Sequence, residues 1–169
     1  ELQTELAKLG FSAKEVGNAT PAILDLAASL GVGLAEAAEF AGSTVRSFGL
    51  KASETQRVVD VMASAAVNSA QSFGSLVESF KLAAPTSRAL GVSLEDTSAL
   101  LGALANNGLK GSIAGTGLSK TFIQLAKRGM TLQEGLDAVT NSSDKLNTAV
   151  KLVGIIGAKT LLTLAASGD

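Results

Sequence analysis

The chain has 169 residues, 46% hydrophobic and 17% charged, with 14 basic side chains against 15 acidic ones and a net charge of −1. It contains no Cys, His, Trp or Tyr, which excludes a disulfide framework, thiolate or imidazole metal ligation, and the side chain used most often as a base near neutral pH. The near-zero charge gives no bulk attraction to nucleic acid or to an anionic membrane, and the length is that of one domain with a sizeable core.

Ala and Leu dominate the composition, and both are strong helix formers. No stretch shows sustained two-residue alternation bounded by hairpin turns, so the expected class is all-α. About eight short helices of roughly 10 to 18 residues are expected from the start and stop signals. The chain opens at Glu1 without an initiator methionine or a basic-then-apolar leader. That is the expectation for a piece of a longer polypeptide. A lead-in helix ends at Leu9-Gly10-Phe11. Thr20 followed by Pro21 reads as an N-cap and first helical residue. Leu30-Gly31-Val32, Phe48-Gly49-Leu50 and Leu90-Gly91-Val92 repeat the pattern of a left-handed glycine ending a helix, with an apolar residue after it to fold back. Gly108 and Gly129 punctuate in the same way. Ser53 with Gln56, and Ser93 with Asp96, have capping-box spacing. Pro85 interrupts the run from Phe73 to Leu90, where the helix is expected to kink or end near Ala84.

Further on, Leu118, Phe122 and Leu125 recur at helical spacing, as do Leu132, Leu136 and Val139, and then Leu146, Val150 and Val153. A membrane span needs about 20 mostly apolar residues. The longest uncharged stretch, Val61 to Val77, carries Asn68, Gln71 and several serines, and the apolar region from Ala149 to Ala166 is broken by Lys151 and Lys159. A spanning helix is therefore not expected. Small residues such as Ala65, Ala66, Gly102, Ala103 and Gly115 allow helices to approach closely.

The step from Gly31 to Gly91 is almost the same as the step from Gly49 to Gly108. The words around these glycines match: Leu30-Gly31-Val32-Gly33-Leu34 with Leu90-Gly91-Val92-Ser93-Leu94, and Gly49-Leu50-Lys51-Ala52-Ser53 with Gly108-Leu109-Lys110-Gly111-Ser112. Two matched words at nearly one offset, about 60 residues, suggest an internally duplicated helical array.

Candidate chemistry is sparse. Ala114-Gly115-Thr116-Gly117-Leu118-Ser119-Lys120-Thr121 looks superficially like a phosphate-binding loop, but Ser119 stands where a Gly must precede the Lys, and no strand leads into it. Ser142 and Lys145 have Ser-x-x-Lys spacing in a polar stretch that cannot desolvate the lysine, and it reads better as a helix cap. Glu95 and Asp96 are adjacent on a helix and point in different directions. No catalytic, cofactor-binding or metal-binding residue is assigned. One charge asymmetry stands out. From Thr97 to Gln133 the chain carries Lys110, Lys120, Lys127 and Arg128 and no acid. This is a candidate contact for an acidic partner, without the aromatic and arginine interleaving expected of a nucleic-acid surface.

The run Glu78 to Leu118 is more specific than its physics. Its strongest words are Ala89-Leu90-Gly91-Val92-Ser93-Leu94-Glu95-Asp96-Thr97, Leu101-Gly102-Ala103-Leu104-Ala105-Asn106, and Gly108-Leu109-Lys110-Gly111-Ser112 with Ala114-Gly115-Thr116. These resemble the core region of phage tail tape measure proteins, over about residues 18 to 128. Lys120-Thr121 departs from the Arg-containing helix start expected there.

The resemblance implies a structural role. Such chains are long and helical, occupy the growing tail tube and set its length, associate with tail tube and tail tip proteins and with assembly chaperones, and leave when the genome is ejected. It carries no catalytic residue in this region. The expected organisation is 1–20 as a lead-in helix, 21–129 as the tape-measure core helical domain, and 130–169 as C-terminal apolar helices packing on it. The turn-rich pattern, unlike the long heptad helices of a rod, points to a compact domain of the tape measure. The alternative is a membrane-active segment in genome ejection, motivated by Val150 to Ala166. A cell-wall hydrolase, the enzyme reading, has no catalytic constellation behind it. High hydrophobicity with few charges favours self-association into a homo-oligomer, or a partner, over a free monomer.

Overall fold

The computed structural model describes residues 2–168, and every regular element among them is helical. Nine α-helices follow in order: α1 (Leu2–Lys8), α2 (Ala13–Leu30), α3 (Leu34–Ser47), α4 (Thr55–Asn68), α5 (Phe73–Ala89), α6 (Leu94–Asn106), α7 (Gly111–Lys127), α8 (Leu132–Thr140) and α9 (Lys145–Ser167). A single 3-10 turn, Ala52–Glu54, leads into α4.

The helix ends explain why these lengths arise. Gly10, Gly31, Gly49, Gly91, Gly108 and Gly129 all have positive φ, between 65° and 83°. At each, the amide of the following apolar residue reaches back to the carbonyl five positions earlier: Phe11 to Leu6, Val32 to Ala27, Leu50 to Val45, Val92 to Ser87, Leu109 to Leu104 and Met130 to Leu125, at 2.8–3.1 Å. One motif thus closes six helices and satisfies carbonyls that would otherwise be orphaned. Gly10 and Gly129 make the same closure outside the two matched words of the sequence.

The helices stack in two layers. In one, α1, α3, α5 and α7 lie side by side; in the other, α2, α4 and α6 do, followed by α9. Within a layer the chain directions agree. From α5 to α7 the contacts advance together: Ser79 lies beside Gly115, Thr86 Oγ1 is 2.7 Å from Ser119 Oγ, and Leu90 and Lys127 flank one depression. From α4 to α6 they advance likewise, from the Arg57–Glu95 ion pair to the Ala70 amide on Asn106 Oδ1 at 2.8 Å. α7 and α9 are antiparallel, with Gly117 on Thr160 and Thr121 donating to the Gly157 carbonyl.

The main core fills the space between layers. Leu6, Ile23, Leu26, Met62, Leu76, Phe80, Leu94, Leu101, Leu104 and Leu118 are fully buried or nearly so. Phe40 meets Phe73 edge-on at 5.2 Å and Phe80 at 6.2 Å, tying α3 to α5. A smaller cluster of Leu125, Val139, Ala149, Val153, Ala158 and Leu161 joins α7, α8 and α9. The connector between α4 and α5 is anchored by buried Gln71, which donates to the Leu101 carbonyl and accepts from Ser79.

Four local expectations fail for identifiable reasons. Thr20 and Pro21 do not start a helix. They lie inside α2, where Thr20 Oγ1 donates to the Val16 carbonyl at 2.7 Å, so residue 21 is not a helix boundary. Pro85 does not end α5, which continues to Ala89. Both prolines are exposed, and the carbonyls they leave unpaired, on Gly17 and Lys81, lie on exposed residues where water can serve them. Ser53 and Gln56 do not cap α4. Glu54 occupies the cap position without a side-chain capping bond, its carboxylate accepting instead from the Lys51 amide at 2.9 Å at the start of the preceding 3-10 turn. Helix lengths run from 7 to 23 residues, a wider spread than the start and stop signals imply. Ser93 does cap α6, accepting from the Asp96 amide at 3.0 Å.

Candidate functional site

The four cations singled out in the sequence all belong to α7 or its ends. Lys110 is the N-cap, Lys120 and Lys127 are on the helix, and Arg128 is the C-cap. All are exposed. Lys110 and Arg128 are separated by the whole of α7, about 27 Å at about 1.5 Å per residue, so the four form a stripe rather than one patch. Arg128 is engaged internally. Its Nε donates to the Leu152 carbonyl at 2.8 Å and its Nη2 to the Lys151 carbonyl at 2.5 Å.

Those carbonyls are available because α9 is broken. Gly154 has φ 75° and ψ 174°, a conformation reserved to glycine. The break leaves the C-terminal carbonyls of the first half of α9 without helical partners, and a guanidinium fork at a helix C-terminus supplies donors and charge together. Beyond the break, Ile155 is 83% exposed and Ile156 61%. Despite Lys151 and Lys159, α9 is the one described helix long and apolar enough to cross a membrane, and the bent pair α2–α3, turning through 119°, passes the same test jointly. Gly154 was not singled out in the sequence. The signal was present: glycine within the apolar run from Val150 to Ala166 marks a break or a close approach, and Gly154 is the break while Gly157 is the close approach, to Thr121.

A second feature lies in the α4–α6 layer. The two parallel helices meet through small side chains and leave an open groove of about 600 Å³. Its floor is Ala65, Ala99, Gly102 and Ala103, with Asp60 and Glu95 towards one end and Asn68 and Asn106 towards the other. Three carboxylates, Glu54, Asp60 and Glu95, stand near a single guanidinium there. Arg57 pairs with Glu54 at 2.9 Å and with Glu95 at 2.6 Å, while Asp60 accepts only from the Gln56 amide. The hydrogen bond from Arg57 holds the Glu95 carboxyl below the ordinary carboxylate range. Neither the groove nor the stripe brings a nucleophile, a base and an orienting group together. Ser142, for its part, shares a 2.7 Å hydrogen bond with Thr148 and accepts from the Asp144 amide, a helix-start arrangement.

The described residues thus form a two-layer helical array that presents a groove between α4 and α6 and an exposed apolar break in α9. The profile of the phage-related minor tail proteins matches residues 1–162, and the chain belongs to that family. It is therefore a phage tail protein. The chain is 40% identical over 122 residues to the tape measure protein of Pneumococcus phage Dp-1, covering 72% of this chain and 11% of that protein. It is 30% identical over 115 residues to the probable tape measure protein of Escherichia phage P2, covering 68% of this chain and 14% of the relative. The chain thus spans a small part of the length of these relatives. No solved structure matches it.

Proposed function

We propose that this chain is a folded assembly domain of a tail tape measure protein, part of the polypeptide that sets tail length, and that it contacts tail tube or tail tip proteins and assembly chaperones before release at genome ejection. The observation that carries the reading is the layered array itself. Six glycine closures fold the chain back on itself at the ends of α1, α2, α3, α5, α6 and α7, so the described residues cannot extend as a rod without losing their core. Ruler and folded domain make different demands on the same polypeptide, and this segment meets the second. The lead-in residues 1–20 belong with the core 21–129 in this proposal, because a boundary at residue 21 would cut α2 and both α1 and α2 feed the main core. Setting the C-terminal apolar helices (130–169) apart is supported by the separate cluster that α8 and α9 form with Leu125.

Two in-frame deletions of equal length, introduced into the phage that carries this chain, test the reading by electron microscopy of tails. One removes flanking helical sequence and the other removes the stretch between Leu30 and Leu90. A helical ruler shortens by about 1.5 Å per deleted residue. The proposal predicts shortened tails from the flanking deletion and no tails from the internal one. Tails merely shortened by both would make the segment part of the ruler.

A further inference from the structure

Two outward features of this array complement each other. The first is the break in α9, where Ile155 and Ile156 project at 83% and 61% exposure. Lys159 stands one helical turn after Ile155 and Lys151 lies before the break at Gly154, both exposed and neither in an ion pair among the described residues. The second is the α4–α6 groove, apolar along Ala65, Ala99, Gly102 and Ala103 and acidic at one end, where Asp60 has no cationic partner and Arg57 is shared between Glu54 and Glu95. Its volume of about 600 Å³ exceeds what two isoleucine side chains fill. The charges of the whole chain divide in the same sense. Residues 1–96 hold eleven acids and seven bases, net −4, and residues 97–169 hold four acids and seven bases, net +3.

We propose that the groove receives the α9 break of a second copy of this chain, so that copies associate head to tail. Charge fixes the arrangement. A two-fold contact of break on break would set lysines against lysines, and groove on groove would bring no positive charge to Asp60. Only the unlike pairing brings opposite charges together around an apolar centre. The contact is heterologous and leaves one free break and one free groove at the two ends, so further copies can add. It rests on the reading of the chain as a folded assembly domain.

Sedimentation of this chain tests the contact, with Ile155→Asp/Ile156→Asp disabling the break and Ala103→Arg filling the groove with bulk and positive charge. All three positions are exposed or half-buried, and circular dichroism checks that each variant retains the parent helicity and unfolding midpoint. The chain alone is expected to associate with concentration, about tenfold more weakly in ~0.5 M salt than in ~0.05 M. Each variant alone is expected to remain monomeric, and an equimolar mixture of the two to form a dimer and nothing larger, because one intact break and one intact groove remain. A parent chain still monomeric at about 100 µM, where even a weak specific contact is populated, would overturn the proposal. So would association unaffected by either variant, or a mixture that stays monomeric. The first of these would leave the tail-length deletions free to succeed or fail independently.

Discussion

The close approach of α7 to α5 makes the packing of the array testable at one atom. Gly115 on α7 faces the backbone of α5, and a methyl group there would lie 2.5 Å from the Ser79 carbonyl oxygen, 2.8 Å from Leu82 Cβ and 3.0 Å from Ser79 Cα. None of these is the free end of a flexible side chain. The helices must separate, and α5 with α7 is the most extensive helix pair in the chain. Overpacking against backbone costs about 3 kcal/mol at the upper end of the usual range. Replacing a mid-helix glycine by alanine returns about 1 kcal/mol of propensity. Gly115→Ala should therefore destabilise by about 2 kcal/mol, which lowers the unfolding midpoint by roughly 4–8 °C for a chain of this size. Gly102→Ala is the control. Its methyl group meets only Ser69 Cβ at an ordinary 3.6 Å, so propensity acts alone and the variant should gain up to about 1 kcal/mol. With no Trp or Tyr to report, far-ultraviolet helicity followed in urea is the appropriate assay. A Gly115→Ala variant as stable as the parent would refute the parallel α5–α7 packing.

Other outcomes follow from the caps and the break. Gly31 sits at φ 65° with open space around it, so Gly31→Ala should cost about 1–2 kcal/mol by backbone conformation alone and Gly31→Asn less, as read by thermal unfolding. Arg128→Ala removes the donors on the Lys151 and Leu152 carbonyls. Amide exchange should quicken in the capped first half of α9, residues 148–153, while α5 is unchanged, for a loss of about 1 kcal/mol at this exposed site; equal acceleration everywhere would contradict the capping role. Glu15, Glu54, Glu95 and Glu134 all titrate below their ordinary value of 4.5. The principal causes are the Ser12 hydroxyl, the Lys51 amide, the Arg57 guanidinium and the Thr131 amide respectively. The unfolded chain then binds more protons around that pH, so the stabilisation is complete above about pH 5 and is lost as acidification passes the folded values. Urea midpoints should be flat from about pH 5 to about pH 8, where the chain has no histidine to titrate. They should fall on further acidification, less steeply in Glu15→Gln/Glu134→Gln.

Glycine closures were legible because one residue type meets a steric requirement that almost no other can, and the apolar residue after it completes the motif. Helix starts were half legible. Ser93–Asp96 forms its cap, whereas Ser53–Gln56 has the same spacing and loses to Glu54, because a 3-10 turn shifts the first helical residue to Thr55. The prolines misled for a different reason: the cost of an internal proline depends on whether the carbonyl one turn earlier can be hydrated, and exposure is a tertiary property. The basic stripe was visible as composition. That Arg128 would turn inward to cap α9 was not, because the partner carbonyls exist only where Gly154 breaks the helix. The groove was invisible from any local pattern. It arises where the small residues of α4 and α6, separated in the chain by the whole of α5, come side by side.

The claim that this segment is folded, and not part of the measuring rod, is tested most directly by lengthening it without disturbing its core. A helical insert of about 60 residues at the exposed turn between α8 and α9, after Asn141, adds about 90 Å to any extended helix that contains it. The phage carrying that insert should assemble tails of unchanged length. Tails longer by about 90 Å, the full helical rise of the insert, would show that the segment runs extended along the tube, and would contradict the account.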